Sequence, residues 1–292
     1  MTNKERFKKN IRMVELEQHS FCNRKCWFCP NQFIDRQFKP VKFLDEAVYV
    51  QILKDLAGIG YDEIISFSGN CEPFSQPAFL DRIKQAREYL PNACLMTNTN
   101  TDYLTTEMVR AAAAAGLDMI KAQLYFDETE EFTEEAIKLK LACLQKKLPG
   151  IEFEEKAKNK WFALVDDRLV IVAYAKDWRK VGHNRCDVPV RPTTKRYHTC
   201  GEAVTYIGVN YAGQVQPCCN IRADYPKYKH LVLGQMDDKP DTIFSLYQGT
   251  LLPETVYPCA TCMGKQWHPN GKLVYEDILR ELRNDKRLLQ VS

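Results

Sequence analysis

Three cysteines in one short loop constrain this chain more than anything else in it. Cys22, Cys26 and Cys29 lie in Cys22-Asn23-Arg24-Lys25-Cys26-Trp27-Phe28-Cys29-Pro30, spaced C-x3-C-x2-C, soon after the apolar-alternating run Met13-Val14-Glu15-Leu16-Glu17. Thiolates are soft ligands suited to zinc and to iron–sulfur clusters. A closed site of either kind normally takes four protein ligands. Three close cysteines with no fourth nearby point to a cluster with one iron left open to a small molecule. On spacing alone the alternatives are a zinc loop that borrows a distant fourth ligand, or free buried cysteines.

The rest of the composition sets the context for those thiols. The 292 residues suffice for one large domain or two modest ones, and 45% apolar with 27% charged residues is ordinary for a globular chain. A net charge of +3 is too small to argue for nucleic acid. No apolar run approaches the roughly 20 residues of a membrane span. The N-terminus, Met1-Thr2-Asn3-Lys4-Glu5-Arg6, opens no signal-peptide pattern. The expected location is therefore cytoplasmic, with no membrane partner. In a reducing compartment twelve cysteines are ligands or catalytic thiols rather than disulfides. Eight fall into two groups, Cys22/26/29 and Cys200/218/219/259/262, with Cys71, Cys94, Cys143 and Cys186 scattered between.

Along the chain, residues 12–20 read as a strand ending in the cysteine loop. Asp45 caps a helix with Val48, Ile52, Leu53 and Leu56 on one face, stopped at Gly58 and Gly60. Residues 63–67 are a strand, Ser68-Gly69-Asn70-Cys71-Glu72-Pro73 a turn, and Pro77 opens the next helix. Strands over 94–97 and 119–125 alternate with helices over about 106–116 and from the Thr133 cap to Pro149-Gly150. Four strand–helix units in succession imply a parallel sheet with helices outside, curling toward a barrel and binding ligands at the strands' carboxyl ends. Residues 161–165 and 169–174 are two more strands, which either complete the partial barrel or form a hairpin. Loop residues and Arg179, Lys180, Arg185, Arg191, Lys195 and Arg196 dominate 176–199. That shift sets the expected domains, 1–185 and 186–292. In the second, 204–209 and 214–216 flank the hairpin turn Asn210-Tyr211-Ala212-Gly213, and a last helix covers about 274–282.

The first loop resembles the signature of the radical S-adenosylmethionine (SAM) superfamily, C-x3-C-x-aromatic-C, with Phe28 at the aromatic position. The resemblance implies a fold of class α/β, a partial (β/α)6 radical SAM barrel. It implies a 4Fe-4S cluster on Cys22, Cys26 and Cys29 whose open iron binds SAM. Reductive cleavage of SAM would give a 5′-deoxyadenosyl radical that takes hydrogen from the substrate. The turn at Gly69, Asn70, Cys71 and Glu72 resembles the family's G-x-G-E-P motif that contacts the SAM amino group, but Cys71 replaces the second glycine. Cys71 is then either a small residue tolerated in a tight turn or a thiol in contact with substrate, a candidate hydrogen donor. Gln123 lies where the family places a polar residue against the SAM ribose or carboxylate, and Asn98 and Asn100, after the third strand, are candidates to point into the same site. Gln123 at a solvent-facing barrel edge and ordinary turn chemistry for the asparagines are the alternatives.

The second cysteine group, Cys200 and Cys218 spaced C-x12-G-x4-C and then Cys259-x2-Cys262, fits structural zinc on spacing alone. It resembles the SPASM/Twitch extension of radical SAM enzymes. His268 stands where the longer SPASM form has a further cysteine, so the shorter Twitch form is expected. That form implies a small C-terminal iron–sulfur domain with one auxiliary 4Fe-4S cluster on Cys200, Cys218, Cys259 and Cys262. The resemblance covers most of 12–265 and is to the 2-deoxy-scyllo-inosamine dehydrogenase type. Cys219, left over beside Cys218, is either a buried small residue or a thiol that returns hydrogen to a substrate radical.

The resemblance ranks a dehydrogenase of a small polar substrate (a sugar, an aminocyclitol or a conjugate) first. A radical SAM epimerase with a cysteine hydrogen donor is second, and a maturase that modifies a short peptide is third. About twenty residues precede Cys22, too few for a leader-binding domain, which tilts the expectation to the small molecule. Such an enzyme needs an electron donor such as flavodoxin or ferredoxin. From a different class, a non-catalytic zinc- or cluster-binding interaction module would carry the same cysteines.

Overall fold

The structure is a computed structural model and describes residues 1–37, 39–180, 200–249 and 259. The chain opens on a helix that the sequence reading left unassigned, α1 (Asn3–Asn10), started by a capping box in which Glu5 N–H donates to Thr2 and Thr2 N–H donates to Glu5. β1 (Met13–Leu16) follows, shorter than the stretch 12–20 expected to be strand. The next residues leave the ladder: Ser20 N–H donates to the Lys42 carbonyl and Leu44 N–H to the Gln18 carbonyl.

The expected strand–helix units come next: α2 (Glu46–Gly58), β2 (Ile64–Ser66), α3 (Ala78–Tyr89), β3 (Cys94–Thr99), α4 (Thr106–Ala115), β4 (Met119–Leu124) and α5 (Glu134–Lys147). Side-chain caps start α2, α4 and α5, Asp45 on Ala47 and Val48, Thr105 on Met108, and Thr133 on Ala136, while α3 follows Pro77 without one.

Three strands, β5 (Glu154–Ala157), β6 (Lys160–Val165) and β7 (Leu169–Ala175), answer the question left open between barrel and hairpin. Both readings hold. β6 and β7 are antiparallel, joined through Asp166 and Asp167 at positive φ, a conformation aspartate tolerates. β7 also pairs in parallel with β4.

A one-turn helix, α6 (Glu202–Thr205), leads to β8 (Tyr206–Val209) and β9 (Gln214–Gln216), the expected hairpin, then β10 (Gly234–Gln235) and α7 (Thr242–Leu246). All ten strands form one sheet in the order β10-β9-β8-β1-β2-β3-β4-β7-β6-β5. From β8 to β7 its six central strands are parallel. The α/β architecture is the one expected. The sixth parallel strand comes from beyond residue 200 and lies against β1 rather than after β7. The boundary at 185/186 and the helix at 274–282 lie outside the described residues.

The face of the sheet turned to the helices is largely apolar: Val14, Leu16, Ile65, Leu95, Ile120, Leu124 and Ile171 are buried against α2 to α5. Both faces of a parallel sheet are normally covered. The opposite face is divided. Met13, Ile64, Cys94, Met96, Met119, Val170 and Val172 fill its amino-terminal part. Toward the carboxyl ends the same alternation brings polar residues: Glu15 and Glu17 after Met13, Ser66 and Ser68 after Ile64, Asn98 after Met96, and Gln123 two strand positions beyond Lys121. The cysteine loop leaves the carboxyl end of β1 above this polar zone.

Candidate active site

Cys22 is buried in the loop, and Cys26 and Cys29 are half-buried. The backbone fixes them locally. Cys22 N–H donates to the Arg36 carbonyl (3.1 Å), and Cys29 N–H donates to the Cys26 carbonyl (2.9 Å), just before a 3-10 turn over Pro30–Gln32. Burial pushes the Cys22 thiol up to about 11 and the Cys26 thiol to about 12, with Cys29 adding to both. Binding of a metal or cluster by these thiols would therefore release protons. Among the described residues no three His, Cys, Asp or Glu side chains could hold one metal ion. A cluster differs from a single ion here, because each thiolate takes its own iron and the three need not converge. Three neighbouring thiols therefore fit a cluster better than a lone zinc.

Phe28 is buried in an aromatic pile. It stacks on Trp178 (centroids 4.5 Å apart, planes at 9°) and on Tyr125 (5.5 Å, 17°), with Trp27 edge-on. Arg24 lies over the Tyr125 ring at 5.0 Å and pairs with Asp102 through Nε (2.7 Å) and Nη2 (2.5 Å). Asn23 Nδ2 donates to the same Asp102 (2.7 Å), and Asn23 Oδ1 accepts from Asn100 Nδ2 (2.8 Å). The cysteine loop is thus bound to the end of β3.

The turn after β2 is held from several sides. Gly69 has φ +106, and a Cβ there would meet Glu17 carbons at 2.9 to 3.2 Å. The side chain that crowds this position is Glu17. Asn70 N–H donates to Glu17 Oε1 (2.7 Å), while the buried Asn70 Oδ1 has no hydrogen-bond partner among the described residues. Cys71 Sγ–H donates to the Ser68 carbonyl (3.6 Å), and burial pushes that thiol well up, with Glu17, Glu72 and Cys22 adding to the effect. Glu72 accepts from Thr99 Oγ1 (2.7 Å) and Asn100 N–H (2.7 Å), tying the turn to β3. Burial outweighs these bonds and lifts its carboxyl to about 7.

Asn98 donates through its backbone N–H (2.9 Å) and Nδ2 (2.6 Å) to Ser68 Oγ. Gln123 is 5% exposed, so it does not face solvent. Its Oε1 accepts from Tyr174 (3.0 Å), and its buried Nε2 has no hydrogen-bond partner among the described residues. A buried donor at Gln123 and a buried acceptor at Asn70, both unmet, are what a site for a polar ligand leaves behind.

The second cysteine group is described in part. Cys218 is buried, Cys200, Cys219 and Cys259 are half-buried, and Cys262 lies outside the described residues. Cys219 Sγ–H donates to Glu202 (3.6 Å), and a side-chain hydrogen bond between Cys218 and Cys219 is the first cause of a raised Cys218 thiol. Cys219 also acts electrostatically on Tyr206, whose hydroxyl donates to the buried Glu15 (2.7 Å). The structure groups Cys71 with the first loop and Cys219 with Glu202 and Tyr206.

Glu15, Glu17, Asn31, Arg36, Arg222 and Asp224 were not singled out from sequence. The available signal was the pair of acidic residues at period two in β1. In a strand covered on both faces, that spacing places both carboxylates on the inner one.

Residues 17–152 match the family model described as the radical SAM superfamily. The chain is 31% identical over 105 residues to the S-adenosyl-L-methionine-dependent 2-deoxy-scyllo-inosamine dehydrogenase of Niallia circulans, covering 36% of this chain and 41% of that protein. It is 27% identical over 110 residues to a tungsten-containing aldehyde ferredoxin oxidoreductase cofactor-modifying protein of Pyrococcus furiosus, covering 38% and 30%. The matches span less than half the length of these curated relatives. The crystal structure of BtrN in complex with AdoMet and 2-DOIA superposes with a TM-score of 0.56 at 19% identity, over 82% of each chain, a likeness of fold. By this fold and these matches, residues 17–152 of the chain are a radical SAM domain.

Proposed function

We propose that this protein is a radical SAM dehydrogenase that oxidises a small polar substrate of the sugar or aminocyclitol class. The observation that carries the reading is the set of three neighbouring thiols at the carboxyl end of β1, beside a turn and a strand that keep unmet polar atoms at Asn70 and Gln123. Cys22, Cys26 and Cys29 would hold a 4Fe-4S cluster, which with SAM supplies a radical strong enough to remove hydrogen from an unactivated C–H bond. Cys200, Cys218, Cys259 and Cys262 would hold an auxiliary cluster, which supplies a one-electron acceptor. The dehydrogenase reading is supported by the name of the Niallia circulans relative.

The chain's own groups account for binding and orientation. Asn70 Oδ1 suits an ammonium or hydroxyl donor, and Gln123 Nε2 a carboxylate or hydroxyl acceptor. Tyr174 orients the Gln123 amide by donating to its oxygen. Glu72, occupied by Thr99 and Asn100, fixes the turn more than it offers free acceptor capacity. Trp178 and Tyr125 hold Phe28 from both sides and keep water from that flank of the loop. A flavodoxin or ferredoxin would supply the reducing electron.

The test is anaerobic turnover of the reconstituted protein with a reductant, SAM and 2-deoxy-scyllo-inosamine. The expected result is 5′-deoxyadenosine together with a product two hydrogens lighter. Cys26→Ala should form neither. Failure of the wild type to form any 5′-deoxyadenosine would refute the reading.

A further inference from the structure

Five side chains, four of them buried and that of Asp224 half-buried, close a ring with the Asn70 backbone between the cysteine loop, the turn after β2 and the segment that follows Cys218 and Cys219. Glu17 Oε1 accepts from Asn70 N–H (2.7 Å), and the Asn70 carbonyl accepts from Asn31 Nδ2 (2.9 Å). Asn31 Oδ1 accepts from Arg222 Nη1 (2.9 Å). Arg222 grips Asp224 through Nε (2.9 Å) and Nη2 (2.7 Å). Asp224 also takes Arg36 Nη2 (3.0 Å), and Arg36 Nη1 returns to Glu17 Oε1 (3.2 Å). Glu17, Asn31, Arg36 and Arg222 are all 3% exposed or less.

Two carboxylates balance two guanidiniums, so the ring carries no net charge into the interior. Burial disfavours the charged form of Arg36, but Glu17 and Asp224 outweigh it and hold the guanidinium above its ordinary pKa. Burial likewise raises the Asp224 carboxyl, and Arg222 and Arg36 more than reverse this. Buried ion pairs are poor evidence of stability, because desolvation offsets their attraction; their attested use is to fix one geometry among several. What this ring fixes is specific. Asn31 lies two residues beyond Cys29, and the Arg36 carbonyl takes the N–H of Cys22, so both ends of the cysteine loop are attached to it. Asn70 presents its unmet Oδ1 from the same ring. Arg222 and Asp224 come from beyond residue 200, outside the matched domain.

We propose that this ring is a latch: Arg222 and Asp224 position the cysteine loop and the Asn70 turn, so that SAM binding by the radical SAM domain depends on the docked segment 218–224. The latch rests on the SAM reading above. Its members are positioning residues, and none is assigned a contact with reacting atoms.

The experiment measures SAM affinity by equilibrium dialysis on anaerobically reconstituted full-length protein, alongside iron content. Arg222→Ala should raise the SAM Kd about tenfold, equivalent to about 1.4 kcal/mol, with iron at the first cluster retained. Asn31→Ala should do the same. The double variant should be no worse than the weaker-binding single, since both break one ring, whereas independent sites would add. Arg222→Lys should fail to restore affinity, because an ammonium cannot grip Asp224 in two places while serving Asn31. Asp224→Asn keeps the shape of the side chain and serves if Arg222→Ala does not fold; it should weaken SAM several-fold. SAM affinity within about twofold of wild type in Arg222→Ala or Asp224→Asn, or additive losses in the double variant, would overturn the latch alone. A wild type that binds no SAM would overturn the functional reading as well.

Discussion

Replacing Gly69 with alanine isolates how tightly the turn after β2 is built. The substitution meets two penalties. The backbone sits at φ +106, which costs an L-residue on the order of 1–3 kcal/mol. The new methyl would also lie 2.9, 3.0 and 3.2 Å from Cβ, Cγ and Cδ of Glu17. Glu17 cannot yield without disturbing its bonds to Asn70 N–H and Arg36, so a further 1–3 kcal/mol is expected, roughly the cost of overpacking a core. Gly150→Ala separates the two penalties. Gly150 also has positive φ, +77, but nothing lies within 4 Å of its would-be Cβ. It therefore carries only the backbone penalty. Urea unfolding of the wild type and the two variants should rank Gly69→Ala about 1–3 kcal/mol below Gly150→Ala. Equal losses in the two variants would show that Glu17 does not confine the turn and would refute the reasoning.

Reconstituted protein should contain about eight irons per chain, four for each 4Fe-4S cluster, and the triple variant Cys22→Ala, Cys26→Ala, Cys29→Ala about four; one equivalent of zinc in that variant would rule out the auxiliary cluster. His19 is buried, and burial pulls its imidazole from about 6.5 down to about 4. Its contribution to stability is complete above the unfolded pKa and is lost as pH falls from about 6.5 through 4, by up to about 3 kcal/mol. His19→Asn should flatten that acid limb in urea midpoints measured across pH, and an unchanged slope would contradict the assignment. Turnover in D2O distinguishes oxidation from epimerisation at Cys219: a dehydrogenase leaves no solvent deuterium at the reacting carbon. Product one mass unit heavier than the substrate, carrying a single solvent deuterium at the reacting carbon and lost in Cys219→Ala, would make the protein an epimerase.

The elements that could be read from the sequence are those whose signals are local. Asp45 and Thr133 cap helices where their side chains suggested, and Asn210 to Gly213 turns the β8–β9 hairpin. The α1 capping box, Thr2 with Glu5, is an equally local signal. The place of β8 was not readable. No pattern within Tyr206–Val209 states that its parallel neighbour is Met13–Leu16. The latch was hidden for the same reason. Asn31 and Arg222 each look like solvated loop residues until the fold buries them together. Cys71 and Cys219 were visible as extra thiols, but only the structure places one with the first cysteine loop and the other with Glu202 and Tyr206.

The pairing of β8 with β1 also bears on how the chain is made. During synthesis β1 and β2 emerge well before β8, and β2 can cover one edge of β1 early. Its other edge waits for Tyr206–Val209. Until then a row of N–H and C=O groups stands open to any passing strand, the condition that favours aggregation. Closing it requires a contact of very long sequence separation, which is slow. A nascent chain or a fragment ending near residue 185 therefore presents a bare central strand rather than a finished sheet.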